Sequence, residues 1–328
     1  VPVALAALRR GRDAMSESRR TDDGRESGLD RQIAFLEGRR ASKEERRAAG
    51  DLTGQKARNS AERLLTRSTS GAIYAVVTLA CLFCGPVTTT ALVIAQAWLC
   101  CSEFFRICRM GGRMPNEVIG LAAAVLFPPA ALVSGLLACA LVIFVMLMAC
   151  ACWYVFTPRA SVADVAVTAF GPLYTSLAFS SVVLIRRFDA GLTGALVTLA
   201  VMLSIWANDA FAYFVGSALG RHKLAPRISP SKSVEGFFGG IVGSVIVWVV
   251  LAVFVVGDMS IAMAVLCGLV VGVAGVIGDL FESRLKRGVG VKDSGNVLPG
   301  HGGLLDRSDS MLFGSMAAFF LLLFGGIL

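Results

Sequence analysis

Apolar and polar positions along this chain separate into long blocks. From Gly71 onward, apolar runs recur with short polar segments between them, and most reach the roughly 18 to 20 residues that a helix needs to cross the hydrocarbon core of a bilayer. Buried helices of soluble proteins are shorter and amphipathic, so the pattern predicts a polytopic all-α transmembrane protein rather than a soluble bundle. About nine spans are predicted, at 72–84, 86–102, 118–134, 136–156, 164–185, 192–216, 237–256, 260–280 and 310–328. The first two are short.

The polar positions divide the chain differently. Residues 1–70 carry 16 of the 31 basic and 11 of the 23 acidic side chains with few aromatics, a composition that predicts a basic, largely disordered tail. Two apolar patches in it, Ile33 to Leu36 and around Leu64 to Leu65, read as helices lying on a membrane surface. The opening VPVALAAL meets Arg9 and Arg10 before it is long enough to insert, unlike a secretory signal. Residues 71–328 then form the membrane domain. Its Lys and Arg gather in 103–117, 217–235 and 282–309. Nine spans put these segments and the tail on one side, which the excess of positive charge makes cytoplasmic in a cell-membrane protein. Arg186 and Arg187 fall on the opposite side, where snorkelling to the interface is expected.

Composition agrees with this division. The chain is 55% hydrophobic with only 16% charged residues, well under the roughly 25% usual for soluble domains. The net charge of +8 fits anionic lipid and nucleotide together, though basic inner loops alone would produce it as well. No nucleic-acid partner is expected. The middles of the spans are nearly free of charge, which argues against a transporter. Nine cysteines lie almost wholly in apolar runs and read as small packing residues. Cys81 and Cys84 have CxxC spacing but no second pair or polar ligand histidine, so neither zinc nor a disulfide framework follows.

Chemistry-bearing residues concentrate in two loops, 217–235 and 282–309. In the first, Asn208 and Asp209 precede Gly216, Gly220 and the run PRISPSKSVEG at 226–236. Ser229, Lys232 and Ser233 there offer hydroxyls and an ammonium on a backbone stiffened by proline, as nucleotide or phosphate capture requires. The second loop is denser. Asp279 is expected at the C-terminal end of its helix, where the dipole disfavours a carboxylate unless a cation lies opposite. Asp306 and Asp309, three apart at the start of the last span, share a helical face.

Three carboxylates from two helix ends can hold magnesium; alternatively they pair with Arg284, Arg287 and Arg307. Lys286, Arg287, Lys292 and Arg307 supply charge for a polyphosphate, although Lys286 and Arg287 could simply anchor their helix. Gly300, Gly302 and Gly303 allow a ligand close to the backbone. His301 fits a base, a donor to phosphate or a turn residue.

These residues carry a resemblance. The run from Ser283 to Asp309 resembles, in register, the signature of the phosphatidate cytidylyltransferase (CDP-diacylglycerol synthase) family, through Ser283, Lys286, Arg287, Lys292, Asp293, Gly295, Leu298, Gly300 to Gly303, Asp306, Arg307 and Asp309. GDLFES at 278–283 and ISPSKSVEG at 228–236 are similar to the same family, and the likeness covers roughly residues 60–328. Ser308 stands where the family has an apolar residue or Thr, and Ser231 where Lys or Asn is usual; altered packing is expected at the former.

The resemblance implies reaction of CTP with phosphatidate to give CDP-diacylglycerol and pyrophosphate, with Mg2+ required and room left for a second cation and for a homodimer. It implies metal ligands at Asp279, Asp306 and Asp309, catalytic contacts from Lys286, Arg287, Lys292, Asp293, His301 and Arg307, and substrate contacts from Asp209, Ser229, Lys232, Ser233, Gly302 and Gly303. A groove between the last four spans, open sideways at the inner leaflet, would admit the lipid. Two rivals share some features. A CTP-dependent lipid kinase would also use carboxylates and magnesium but release CDP, and a CDP-alcohol phosphotransferase needs a D-G-x2-A-R run that this chain lacks.

Overall fold

A computed structural model describes residues 33–45, 69, 71–295 and 302–328. The chain divides into two compact units, Val1–Leu65 and Thr66–Leu328. In the first, a helix covers 33–45 with Ile33, Phe35 and Leu36 exposed and the Arg39 guanidinium over the Phe35 ring at 5.7 Å. The patch at Leu64 to Leu65, and most of the predicted tail, lie outside the described residues.

The second unit is a helical bundle. In chain order it comprises α1 (Gly71–Phe83), α2 (Pro86–Met110), α3 (Glu117–Ser134), α4 (Leu136–Phe156), α5 (Val162–Pro172), a π-helical turn (Leu173–Leu177), α6 (Ala178–Arg186) and α7 (Leu192–Leu219). A hairpin of β1 (Lys223–Ala225) and β2 (Ser229–Ser233) follows, then α8 (Val234–Phe254), α9 (Ile261–Gly288) and α10 (Leu305–Phe324). Among the described residues eight helices are long and apolar enough to cross a membrane, α5 to α6 counting as one span. The predicted span at 72–84 is the exception. There the described residues form α1, a shorter apolar helix that covers about 20 Å at 1.5 Å per residue.

Crossing at each of the eight helices brings 111–116, 220–233, 289–295 and 302–304 out on one side, and side-chain contacts join this end. Arg106 on α2 donates to the Ser294 carbonyl, and Lys232 of β2 reaches Asp279 on α9. The three basic segments therefore share one end of the bundle. Arg186 and Arg187, at the other end, do not snorkel. Arg186 is 1% exposed and donates to the carbonyls of Leu82, Asp189 and Ala190, while Arg187 donates to that of Ala131. Arg186 thereby caps the end of α1, whose last carbonyls lack helical partners, and Arg187 adds a second donor to the Ala131 carbonyl, which already accepts the Gly135 N–H.

Close helix approach depends on small residues, because lipid gives no hydrophobic force to drive helices together. A Cβ on Gly236 or Gly240 of α8 would meet the Ala212 or Asn208 carbonyl of α7 at 2.6 or 2.7 Å. Under the charged end, Phe104, Phe170, Tyr174, Phe281 and Phe313 form an aromatic layer with centroids 5.1 to 6.1 Å apart. The π turn delivers Tyr174 to it, just after Pro172 interrupts the helical hydrogen bonding. All nine cysteines are unpaired, and Cys100, Cys101, Cys139, Cys150 and Cys267 are buried, as packing residues are.

Candidate active site

The site begins where α9 and α10 touch. Gly278 packs against the Asp309 carbonyl so closely that a Cβ would not fit, which sets Asp279 beside the first turns of α10. The helix α9 runs on to Gly288, so Asp279 is not at its C-terminal end as expected; it lies more than two turns inside. The helix dipole, felt only in the last turn, is therefore not what it must answer. What it meets is a cation: Lys232 Nζ lies 2.6 Å from Asp279 Oδ2, and Ser283 Oγ donates to Oδ1 at 3.2 Å.

The hairpin holds Lys232 in place. Lys223 pairs with Ser233 and Ala225 with Ser229, with a register shift between them, and Glu235 accepts from the backbone N–H groups of Arg221 and His222 and lies 2.6 Å from His222 Nδ1. Ser233 is buried and caps α8, accepting from the Gly236 N–H. Ser229 faces Ser231 at 3.4 Å. The predicted loop is thus partly a strand pair, and of its serines Ser231 and Ser233 line the site's cavity while Ser229 does not.

On the other wall, Lys286 Nζ lies between two carboxylates, Glu282 one turn back at 2.7 Å and Asp306 at 2.6 Å. Asp306 also accepts from the N–H groups of Ser294 and Gly303. Gly302, at φ +84°, turns the chain just before Asp306, a backbone shape that side chains rarely adopt. Lysines meet Asp279 and Asp306 here, and Arg287, one of the partners expected for the carboxylates, donates instead to the Val291 carbonyl. A buried glutamate from α2 completes this wall: Glu103, 5% exposed, accepts from Ser294 Oγ at 3.0 Å and from the N–H groups of Leu304 and Leu305 at 3.1 and 2.8 Å.

Between the walls is a cavity of 720 Å³ lined by Asp209, Lys232, Asp279, Asp306, Arg307 and Asp309, with Tyr74, Trp206, Tyr213 and Phe237 supplying apolar and aromatic surface. It is formed by the last four long helices, as expected, and also by α1, through Gly71, Tyr74 and Ala75. Four carboxylates beside two cations, in a volume suited to a small-molecule ligand, make a place where anions can be held only with added positive charge.

Residues 65–324 match the model of the Cytidylyltransferase family. The chain belongs to the cytidylyltransferase family. Among its relatives in that family are the phosphatidate cytidylyltransferases of Bacillus subtilis strain 168, 45% identical over 151 residues (46% of this chain, 55% of that protein), and of Staphylococcus epidermidis strain RP62A, 44% identical over 138 residues (42% and 53%). That of Staphylococcus haemolyticus strain JCSC1435 is 49% identical over 111 residues (34% and 43%). The chain spans about half the length of the curated relatives it matches.

Within this cytidylyltransferase fold, the residues expected at the site fall into groups. Asp209, Lys232, Ser233, Asp279, Asp306, Arg307 and Asp309 line the cavity. Lys286 and Gly303 stand behind its wall, bonded to Asp306, with Gly302 next to them. Arg287, Lys292 and Asp293 are exposed at the same end but do not line it, nor does Ser229. Gly300 and His301 lie outside the described residues. Ser308 is 1% exposed, so position 308 is a packing position, and Ser231 lines the cavity. Glu103 and Glu282 were not expected.

Magnesium fits part of this donor set. Asp306 is committed to Lys286 and two backbone N–H groups, and among the described residues no three acidic, histidine or cysteine side chains converge on one point. Asp279, which also meets Lys232 and Ser283, and Asp309 line the cavity from α9 and α10 as hard oxygen donors. That suits magnesium, which is usually held by one or two carboxylates together with substrate phosphates and water.

Proposed function

We propose that this protein transfers the cytidylyl group of CTP to phosphatidate at the cytoplasmic face of a cell membrane, forming CDP-diacylglycerol and pyrophosphate. The observation that carries the reading is the cavity itself: Lys232, Arg307 and four carboxylates at one end of an apolar bundle, within a chain of this family. Phosphatidate must keep its acyl chains in lipid while CTP arrives from water, and a charged cavity continuous with apolar and aromatic surface suits both.

An oxygen of the lipid phosphate attacks the α-phosphorus of CTP, the bond to the β-phosphate oxygen breaks, and pyrophosphate leaves. A phosphate monoester is largely ionised near neutral pH, its second pKa being about 6, so the reaction calls for alignment and charge neutralisation more than for a strong base. Lys232 and Arg307 line the cavity and would hold phosphate oxygens. Lys286 acts from behind by fixing Asp306, and the exposed Arg287 and Lys292 add a positive field that draws CTP in. A magnesium ion held by Asp279 and Asp309 would neutralise charge between the two anions.

Incubating the purified protein in detergent with phosphatidate, CTP and magnesium should yield CDP-diacylglycerol and pyrophosphate in equal amounts, and Asp279→Asn should lower the rate by about 10² or more. Release of CDP in place of pyrophosphate would establish the lipid-kinase alternative.

A further inference from the structure

Glu103 lies in α2, almost two hundred residues from the loop it holds, and it is neither exposed to the cavity nor paired with a cation in the described residues. Its two oxygens accept three hydrogen bonds. Oε1 takes the Leu304 N–H; Oε2 takes the Leu305 N–H and the Ser294 hydroxyl. The two backbone donors begin α10, where helical N–H groups have no carbonyl of their own and a negative charge is favoured. The surrounding backbone is shaped to this carboxylate: a Cβ on Gly295 would strike Glu103 Oε1, and one on Gly303 would strike Ser294 Oγ and Glu103 Oε2. One turn along α2, Arg106 donates to the Ser294 carbonyl.

We infer that Glu103 is a positioning residue for the transfer reaction: with Arg106 it fixes Ser294 and the start of α10 against α2. The consequence follows through named bonds. Ser294 N–H and Gly303 N–H, the neighbours of the groups that Glu103 holds, are the two backbone donors to Asp306. Asp306 in turn holds Lys286, and Asp309 lies one turn further along the same helix. A carboxylate on α2 thereby sets the distance between the α10 wall and the α9 wall with Asp279.

The inference rests on the proposed reaction, and the test separates the two. Glu103→Gln keeps the shape but places an amide N–H2 against a backbone N–H donor, so one bond of the clamp is lost whichever way the amide turns. It should lower kcat, per mole of folded protein, by about tenfold to a hundredfold, the scale on which a shift near 1 Å acts, with KM for CTP within about threefold of the parent. Arg106→Ala, an exposed position expected to leave folding intact, should lower kcat by several-fold in the same way, and the pair of changes should combine to less than the product of their separate effects.

A residue that only stabilises the fold would lower the melting temperature and leave kcat of the folded fraction unchanged; that result, or a rise in KM with kcat preserved, overturns the inference. If Glu103→Gln does not fold, Arg106→Ala and Ser294→Ala decide on the same criterion. Failure of the parent protein to make CDP-diacylglycerol would instead count against the reaction proposed for the site.

Discussion

Replacing Gly278 by alanine tests whether the approach of α9 to α10 builds the site. The new Cβ would meet the Asp309 carbonyl far inside 3.0 Å, a separation that real Cβ atoms essentially never show, with Phe313 at 3.2 Å behind it. Both obstacles lie on packed helices, and the nearer one is backbone, which no side-chain rotation can move. The helices must part by roughly 1 Å to restore van der Waals contact. Overpacking of this kind costs about 1–3 kcal/mol of stability, and a displacement near 1 Å between reacting groups costs on the order of 10² in rate. Gly278→Ala should therefore give folded protein with a modestly lower melting temperature and a kcat reduced about a hundredfold. Gly288→Ala, at the end of α9 with nothing within 4 Å, should be silent in both measurements. A kcat for Gly278→Ala within about threefold of the parent would show that the α9–α10 contact does not set the catalytic geometry.

Other positions separate stability from activity. Lys286→Met leaves Glu282, whose side chain has no exposed surface, without its cation; chemical unfolding in detergent should register a loss of about 3–5 kcal/mol, and unchanged stability would contradict the Glu282–Lys286–Asp306 triad. Arg186→Met strips the buried Leu82 carbonyl, and the partly buried carbonyls of Asp189 and Ala190, of a donor at the opposite end of the bundle, so it should destabilise by about 1–3 kcal/mol with kcat per folded molecule unaltered. Chelation of magnesium should abolish turnover and its return restore it. Ser283→Ala, which removes the hydroxyl that orients Asp279, should raise the magnesium concentration giving half-maximal rate by about tenfold, and an unmoved titration would argue against Asp279 as a ligand.

The bundle was legible where lipid dictates the pattern. The span predicted at 136–156 is α4, Leu136–Phe156, and that at 118–134 differs from α3 by one residue, because apolar composition and length are both imposed by the bilayer. Helix ends beyond the apolar run were not legible. Predicted spans at 86–102 and 260–280 continue to Met110 and Gly288, since backbone hydrogen bonds persist after hydropathy falls, and those overhangs carry Glu282 and Lys286. The opposite error befell Arg186 and Arg187: charge beside a span reads as interfacial, whereas the carbonyl ends of α1 and α3 draw both guanidinium groups inward.

At the site, Asp279, Asp306 and Asp309 line one cavity, but the three-residue spacing of Asp306 and Asp309 could not foresee that Lys286 and two backbone N–H groups occupy Asp306. Glu103 lies one residue past the predicted span 86–102, in the segment 103–117 read as basic, so nothing near it in the sequence singled it out. Its partners lie almost two hundred residues away, and local sequence does not contain them.

The central claim is that this cavity carries nucleotidyl transfer from CTP to a lipid phosphate. Supplying the purified protein, phosphatidate and magnesium with CTP labelled at either its α- or its γ-phosphorus tests it most directly. The account predicts that α-label enters the lipid fraction as CDP-diacylglycerol while γ-label appears only in pyrophosphate; γ-label in the lipid, or no label there from either nucleotide, would contradict it.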